Sequence, residues 1–426
     1  MGDRIIFGLD FGTSNSALSI NRNGIVEVIN ADPCNKTGRT LKSILYFEEE
    51  EKAIFTGQAA INQYVLDFGM GRLIKSVKSA LRSTTFDFTY IYGQKYAIDD
   101  LAAIILAFLK EVGEKHICQE VTEVVLGRPV YFSDDPQIDR LAEDRLKAAA
   151  IKAGFKEIHF QLEPIAAAFT VEKTLAESEE KIVLVGDFGG GTADFTVAKL
   201  RGNTKNLDRK NDILAIQGVY IGGDLFDSEI FWHKIAKYFG KDVKFKSMTN
   251  TWLPFPASIT YQLRNWHLIH LLRNNSTIGY IQRVMASADN ESVMKNLLNL
   301  ILNNSGFLMI QGIESAKCQL STSEKATIEF KDSNIEIREE ITRKEFEGMI
   351  FDHTTKIAAR VDEVVSEASL KNSDIDIVFL TGGSSNIPCI RDIFYRRFGQ
   401  GKIRQGDNFT SVAFGLGQSA NFLRGS

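Results

Sequence analysis

One unusual hairpin occurs twice in this chain. Val183–Val197 reads VLVGDFGGGTADFTV: an apolar run leads into Asp187, three glycines follow at Gly189, Gly190 and Gly191, and a second β-prone run begins after Thr192 and Asp194. That pattern predicts two strands joined by a tip of almost bare backbone. Without a Cβ to hold a ligand away, the N–H groups of such a tip can close around a phosphate, and Asp187 places a carboxylate at its rim. An ordinary glycine-rich hairpin would read the same way on this stretch alone.

The second copy weighs against that plainer reading. Ile5–Ile20, IIFGLDFGTSNSALSI, superposes on Val183–Val197 with Asp10 opposite Asp187, Phe11 opposite Phe188 and Gly12 opposite Gly189. Internal similarity of this kind predicts two related lobes, each giving a carboxylate and a phosphate-binding turn to one shared site. A nucleotide clamped between the lobes is the implied ligand.

Length and composition set the outer limits. With 426 residues the chain can bury large cores and hold more than one domain. Its 44% hydrophobic and 24% charged residues suit a soluble globular protein, and a net charge of −4 argues against nucleic acid or an anionic membrane as a main partner. Cys34, Cys118, Cys318 and Cys389 are too far apart for a C-x-x-C pair or a zinc cluster, so they are expected as free thiols in a reducing compartment. Asp3 and Asp10 rule out a signal-peptide core over this N-terminus, and no apolar run approaches the about 20 residues that span a bilayer. A cytoplasmic protein is expected.

Taken in order, the chain alternates strands and helices. Strands are expected at Ile25–Ile29 and Ser43–Phe47. Gly69–Leu81 carries Arg72, Lys75 and Lys78, which reads either as a cation supply for phosphate or as the solvated face of a helix. Asp99–Val112 and Gln137–Gly154 read as helices around the strand Glu123–Leu126. In Leu162–Phe169, LEPIAAAF, Pro164 suits a first helical turn and the alanines allow close approach of another element. Glu163 there either faces the site at a hinge or is an exposed acid at a helix start.

Past the glycine hairpin, Ile213–Tyr220 reads as a strand ending at Gly222-Gly223-Asp224, with a helix over Phe226–Phe239. Gly240–Gly312 reads as largely helical and contains Trp252 and Trp266. His267 and His270 there form half of a metal-site spacing that nothing nearby completes, so they are read as packing or surface histidines. Ile313–Leu320 is expected as a helix, Thr327–Phe330 and Ile335–Ile341 as strands, and Arg343–Ala368 as a helix. Ile377–Leu380 followed by Thr381-Gly382-Gly383-Ser384-Ser385 and a helix from Pro388 makes a third anion or nucleotide turn. Ser411–Leu423 closes the chain as a small-residue helix.

GLDFGTSNS (Gly8–Ser16), LEPIAAAF (Leu162–Phe169), GDFGGGTADF (Gly186–Phe195), GGDLFD (Gly222–Asp227), ESAKCQLS (Glu314–Ser321), ITRKEFE (Ile341–Glu347) and LTGGSSNIP (Leu380–Pro388), in that order, resemble the nucleotide-binding domain of the heat-shock-70 (DnaK-type) chaperones. The likeness covers nearly the whole chain and is nearest to the short YegD-like branch. It implies an α/β, actin-like ATPase fold, two lobes of duplicated ribonuclease-H-like topology around a central nucleotide cleft. Lobe I would run over 1–182 and lobe II over 183–410, with an enlarged outer part at about 222–348; 411–426 would return as a helix to lobe I.

The resemblance further implies ATP or ADP with Mg²⁺ as the bound group. Asp10 and Asp187 would hold Mg²⁺ through water, and Lys78, Glu163 and Thr192 would join them as catalytic groups. Gly12, Thr13, Ser14, Asn15, Gly189, Gly190 and Gly191 would grip phosphates, with Asp194, Gly222 and Gly223 beside them. Glu314, Lys317, Ser321, Gly382, Gly383 and Ser384 would surround the adenosine. A protein partner or co-chaperone would meet lobe II.

The chain departs from the family pattern at three points. Cys318 and Asn386 stand where the family has two arginines that sandwich adenine, which removes planar cation stacking. Asp227–Glu314 is longer than in the chaperones, and the chain ends where the nucleotide-binding domain does. The expected function is a slow ATPase that switches conformation with its nucleotide. A non-catalytic nucleotide-binding scaffold, an actin-like filament protein and a small-molecule kinase remain the alternatives, because a fold alone does not choose among them.

Overall fold

The computed structural model describes residues 4–35, 38–67, 69–173, 175–202, 207–264, 269, 271–332, 334–406 and 410–424. Two mixed sheets carry the hairpins. The first runs Glu157–Leu162, Glu123–Arg128, Ile5–Asp10, Asn15–Arg22, Ile25–Val28, with Leu41–Lys42 added against Asn15–Arg22. The second runs Ile403–Gln405, Ile377–Thr381, Glu180–Phe188, Ala193–Arg201, Ile213–Val219.

In each sheet the strand carrying the key aspartate at or next to its end is parallel to one neighbour and antiparallel to the other, which is the return strand of its own hairpin. The aspartate strands are covered on both faces, so they read as continuous apolar runs rather than alternating ones: Ile6, Phe7 and Leu9 are fully buried, as are Val183 and Leu184.

Apolar packing falls into a cluster around each sheet, one between them and a small fourth one around Tyr46, Tyr64 and Phe307. Phe7, Leu9, Phe11 and Leu106 belong to the first, and Phe188, Phe195, Phe226 and Phe394 to the second. The shared cluster takes Ile6 and Val125 from one sheet, Val183, Val185 and Phe379 from the other, and Ala166–Ala168, Val412 and Leu416 from two helices. The helices Glu163–Glu172 and Ser411–Ser419 approach so closely that a Cβ on Gly415 would lie 1.8 Å from the Ala166 carbonyl oxygen. Small residues on both sides permit this contact. Ser411–Ser419 also anchors to the first sheet: Ser19 Oγ donates to the Ala413 carbonyl at 2.5 Å, and Asn21 Nδ2 to that of Gly417 at 2.7 Å.

Several expected elements differ in detail. The basic stretch after Gly69 is not one helix: Arg72–Lys75 is a strand paired with Ile44–Phe47, and Val77–Ala80 is a single helical turn. Ser76 separates them with φ 59°, a left-handed residue that stops the strand and turns the chain. The stretch Gly240–Gly312 is not wholly helical either, since Lys244–Lys246 and Trp252–Pro254 form a hairpin ahead of its helices. Arg343–Ala368 is two helices, Arg343–Met349 and Phe351–Glu367, parted at Ile350. Trp266, His267 and His270 lie outside the described residues. No helix among the described residues is long and apolar enough to cross a membrane.

Candidate functional site

Both hairpins open into one cavity of about 1590 Å³. Its wall contains Asp10, Gly12, Thr13, Ser14, Asn15, Lys78, Glu163, Asp187, Gly189, Gly190, Gly191, Thr192, Asp194, Gly223, Glu314, Lys317, Ser321, Gly382, Gly383 and Ser384. Gly222 is the one expected site residue that does not line it. Gly222 works from behind, where a Cβ would stand 2.4 Å from the Gly190 carbonyl oxygen, so only glycine lets this segment lie against the hairpin tip.

The tips are held by backbone and hydroxyl groups. In the second hairpin Asp187 pairs across the ladder with Asp194, and the turn closes by Gly189 N–H donating to the Thr192 carbonyl at 2.9 Å. The helix Gly223–Ile230 then caps the tip. Its Gly223 and Asp224 N–H groups donate to the carbonyls of Gly189 and Gly190, at 3.2 and 2.8 Å. In the first hairpin the Gly12 N–H donates to Ser16 Oγ at 3.2 Å, while Ser43 Oγ donates to the Gly12 carbonyl at 2.8 Å. The two tips face each other closely: a Cβ on Gly190 would fall 2.0 Å from Ser14 Oγ.

Carboxylates gather at the base of the tips. Lys78 Nζ donates to Glu163 Oε1 at 2.7 Å, with both side chains only 12% exposed. Glu163 therefore faces the cavity rather than being an exposed acid at a helix start. Burial, then Glu163, push the Asp10 carboxyl up to about 8 despite Lys78. Burial and Glu163 likewise push Asp187 to about 7. Asp194 is also raised, mainly by burial, although the Thr192 hydroxyl donates to it at 2.8 Å. For Lys78, burial opposes the charged form, but Glu163 and Asp10 outweigh it and hold the ammonium above its ordinary value. Four carboxyl groups thus share one ammonium.

The other end of the cavity is built from Glu314, Lys317, Cys318, Ser321, Gly383, Ser384 and Asn386. Lys317 Nζ donates to Asp227 Oδ2 at 2.8 Å and to the Gly223 carbonyl at 3.0 Å. Burial raises Asp227 to about 6 against the pull of Lys317, and its buried Oδ1 has no hydrogen-bond partner among the described residues. Gly382 has φ 83°, and a Cβ there would stand 2.2 Å from the Phe188 carbonyl oxygen, so the third turn tucks under the second hairpin. At the two places of the expected arginines, Cys318 is an exposed free thiol, and Asn386 accepts from the Gln405 amide and donates to the Gly383 carbonyl.

Sequence reasoning did not find Ser43, Asp227, Arg82 or Tyr220. Asp227 was legible in principle, because it follows Gly223 by four residues and so shares its helix face toward Lys317. Ser43 carried no local signal.

The donors suit a divalent cation with a phosphate chain. Crowded, desolvated carboxyls beside a single ammonium are what such a cation relieves, and the bare tips leave room for phosphate oxygens, with nothing within 4 Å of a Cβ on Gly191.

A model for the Hsp70 protein family matches residues 6–252 and 307–426. Over 429 aligned residues the chain is 26% identical to the chaperone protein DnaK of Thermosipho melanesiensis, an alignment covering 99% of this chain and 59% of that protein. The chain thus spans under two thirds of the relative's length. On its sequence and on the two hairpins that meet in one cavity, this chain belongs to the Hsp70 family and has that family's actin-like ATPase fold.

Proposed function

We propose that the cavity binds ATP and ADP with Mg²⁺ and hydrolyses ATP slowly, and that the state of the nucleotide sets the conformation of the chain. The observation that carries this reading is the meeting of the two tips, through Gly190 and Ser14, above the cluster of Asp10, Asp187, Asp194 and Glu163. Asp10 and Asp187 would hold Mg²⁺ through water, and the ion would neutralise charge on the phosphates.

The chain's own groups do the rest by positioning and charge. Backbone N–H groups of Gly12–Asn15 and Gly189–Gly191 hold phosphate oxygens. Lys78, aimed by Glu163, meets the terminal phosphate, and Thr192 stands beside it. Asp10 and Asp187 orient the water whose oxygen attacks phosphorus as the bridging bond breaks. Glu314, Lys317, Ser321 and Gly382–Ser384 enclose the nucleoside, and Gly222 supports the phosphate tip. With Cys318 and Asn386 in place of stacking guanidiniums, the base is held less firmly than the phosphates.

The moving units would be 1–182 and 183–410, with 411–426 fixed to the first. A protein partner would dock on the outer part near 222–348, where residues 253–306 fall outside the family match. Four free cysteines suit a reducing compartment such as the cytoplasm.

Calorimetric titration with Mg-ATP and Mg-ADP, followed by phosphate release on the same sample, tests the reading. Binding with slow release that Asp10→Asn or Asp187→Asn abolishes supports it. Binding with no release by the wild type selects the non-catalytic scaffold instead, and no binding of either nucleotide rejects both.

A further inference from the structure

The cations around the hairpin tips are unequal. Lys78 sits on Glu163, Lys75 on Asp224 at 3.0 Å, and Lys317 on Asp227, so each spends its charge on a carboxylate. Arg82 differs. Its NH1 donates to the Tyr220 hydroxyl at 2.8 Å and its guanidinium carbon lies 4.9 Å from the centre of the Tyr220 ring. Both residues line the cavity, and Arg82 lies within electrostatic reach of Asp194. Among the described residues the Nε and NH2 groups of Arg82 make no hydrogen bond. A phenol is a neutral partner: it fixes the plane of a guanidinium without cancelling its charge.

The two residues also come from opposite sides of the cavity. Arg82 follows the helical turn that carries Lys78, whereas Tyr220 follows the edge strand Ile213–Val219 and precedes Gly222-Gly223. Tyr220 is 70% exposed, so packing in a core does not account for its place. A positive charge with unused donors is thus held in the cavity wall within electrostatic reach of Asp194, to which the Thr192 hydroxyl donates.

Resting on the nucleotide reading above, we propose that Arg82 binds the terminal phosphate of a nucleoside triphosphate and that Tyr220 is the positioning residue that aims it. The pair distinguishes triphosphate from diphosphate, because a diphosphate leaves Arg82 without its ligand. Lys78 serves the same phosphate from within the acid cluster, and Arg82, from the same segment but turned onto Tyr220, adds its charge from outside that cluster.

The test is calorimetric affinity for Mg-ATP and for Mg-ADP, measured on the wild type, Arg82→Ala, Arg82→Lys, Tyr220→Phe and Tyr220→Ala. Arg82→Ala is expected to lose about tenfold in ATP affinity with ADP affinity unchanged. Arg82→Lys, which keeps the charge but not the fork, should recover part of the loss. Tyr220→Ala should show a smaller loss confined to ATP, and Tyr220→Phe, which keeps the ring, a smaller one still. An unchanged ATP-to-ADP ratio in Arg82→Ala, including equal losses of both, overturns the assignment of Arg82 while leaving the nucleotide reading in place. A wild type that binds neither nucleotide overturns both.

Discussion

At the residue scale, the acid cluster ties stability to pH. Asp10 and Asp187 hold protons in the folded chain up to about 8 and 7, well above an ordinary aspartate. The folded state then binds more protons than the unfolded one between an ordinary aspartate value and those limits. Stability without ligand must therefore fall as pH rises through that window. A series of melts from pH 5 to 8.5 should show this decline, with Mg-nucleotide reversing it most at the alkaline end. Asp10→Asn removes one buried charge, so at pH 8 its ligand-free melting point should rise by about 2 °C or more while phosphate release is lost. An unchanged alkaline melting point would mean that solvent already screens the cluster.

The glycines of the tips separate support from binding at the same scale. Gly191→Ala meets open space and should leave the melting point alone while weakening nucleotide binding. Gly222→Ala would drive a Cβ into the Gly190 carbonyl and should cost about 1–3 kcal/mol in a urea titration. A matched loss of stability in both variants would contradict the distinction.

Elements show what local sequence could and could not announce. Each hairpin was readable because an apolar run, an aspartate and glycines within a short stretch specify strand, rim and turn together. The structure adds a capping box at the start of Arg343–Met349, where Thr342 Oγ1 and N–H both donate to Glu345 and the Glu345 N–H donates back to Thr342 Oγ1. Those bonds hold the Glu345 carboxyl down to about 2, so their contribution persists above the ordinary glutamate range and fades only in strong acid. Thr342→Ala should cost about 1 kcal/mol at neutral pH by chemical denaturation.

The Arg72–Lys75 strand was not readable. Its pairing with Ile44–Phe47 settles its conformation, and four residues carry too little periodicity to outvote a helix pattern. Contacts such as Lys317 with Asp227 or Arg82 with Tyr220 join residues 90 and 138 positions apart, where spacing says nothing. Glu163 lay between: its side-chain direction became decidable only once Lys78 was placed opposite.

Across the whole molecule, the cavity is bridged far from its chemistry. Tyr64 donates its hydroxyl to the Asn304 carbonyl at 2.6 Å and packs edge-on against Phe307, in a small cluster with Ile44, Tyr46 and Ile61. This patch joins residues 44–64 to residues 304–307, and in the proposed switch it is the contact that opens for ligand escape. Phe307→Ala should therefore speed release of a fluorescent ADP analogue in stopped-flow chase experiments, by about tenfold if roughly 1.4 kcal/mol of the contact is lost on opening. An unchanged off-rate would place the opening elsewhere.

The matching strand order of the two sheets has a consequence for polarity. The two Asp-Phe-Gly hairpins hold the same place in the two strand orders, and with them Asp10 and Asp187. Each aspartate stands at or next to the end of the corresponding strand of its sheet, whereas a nucleotide has a head and a tail. What the two hairpins share can therefore not dictate which way round it lies. That choice belongs to the segments that break the duplication, Lys78 with Glu163 at one end and Glu314 with Lys317 at the other.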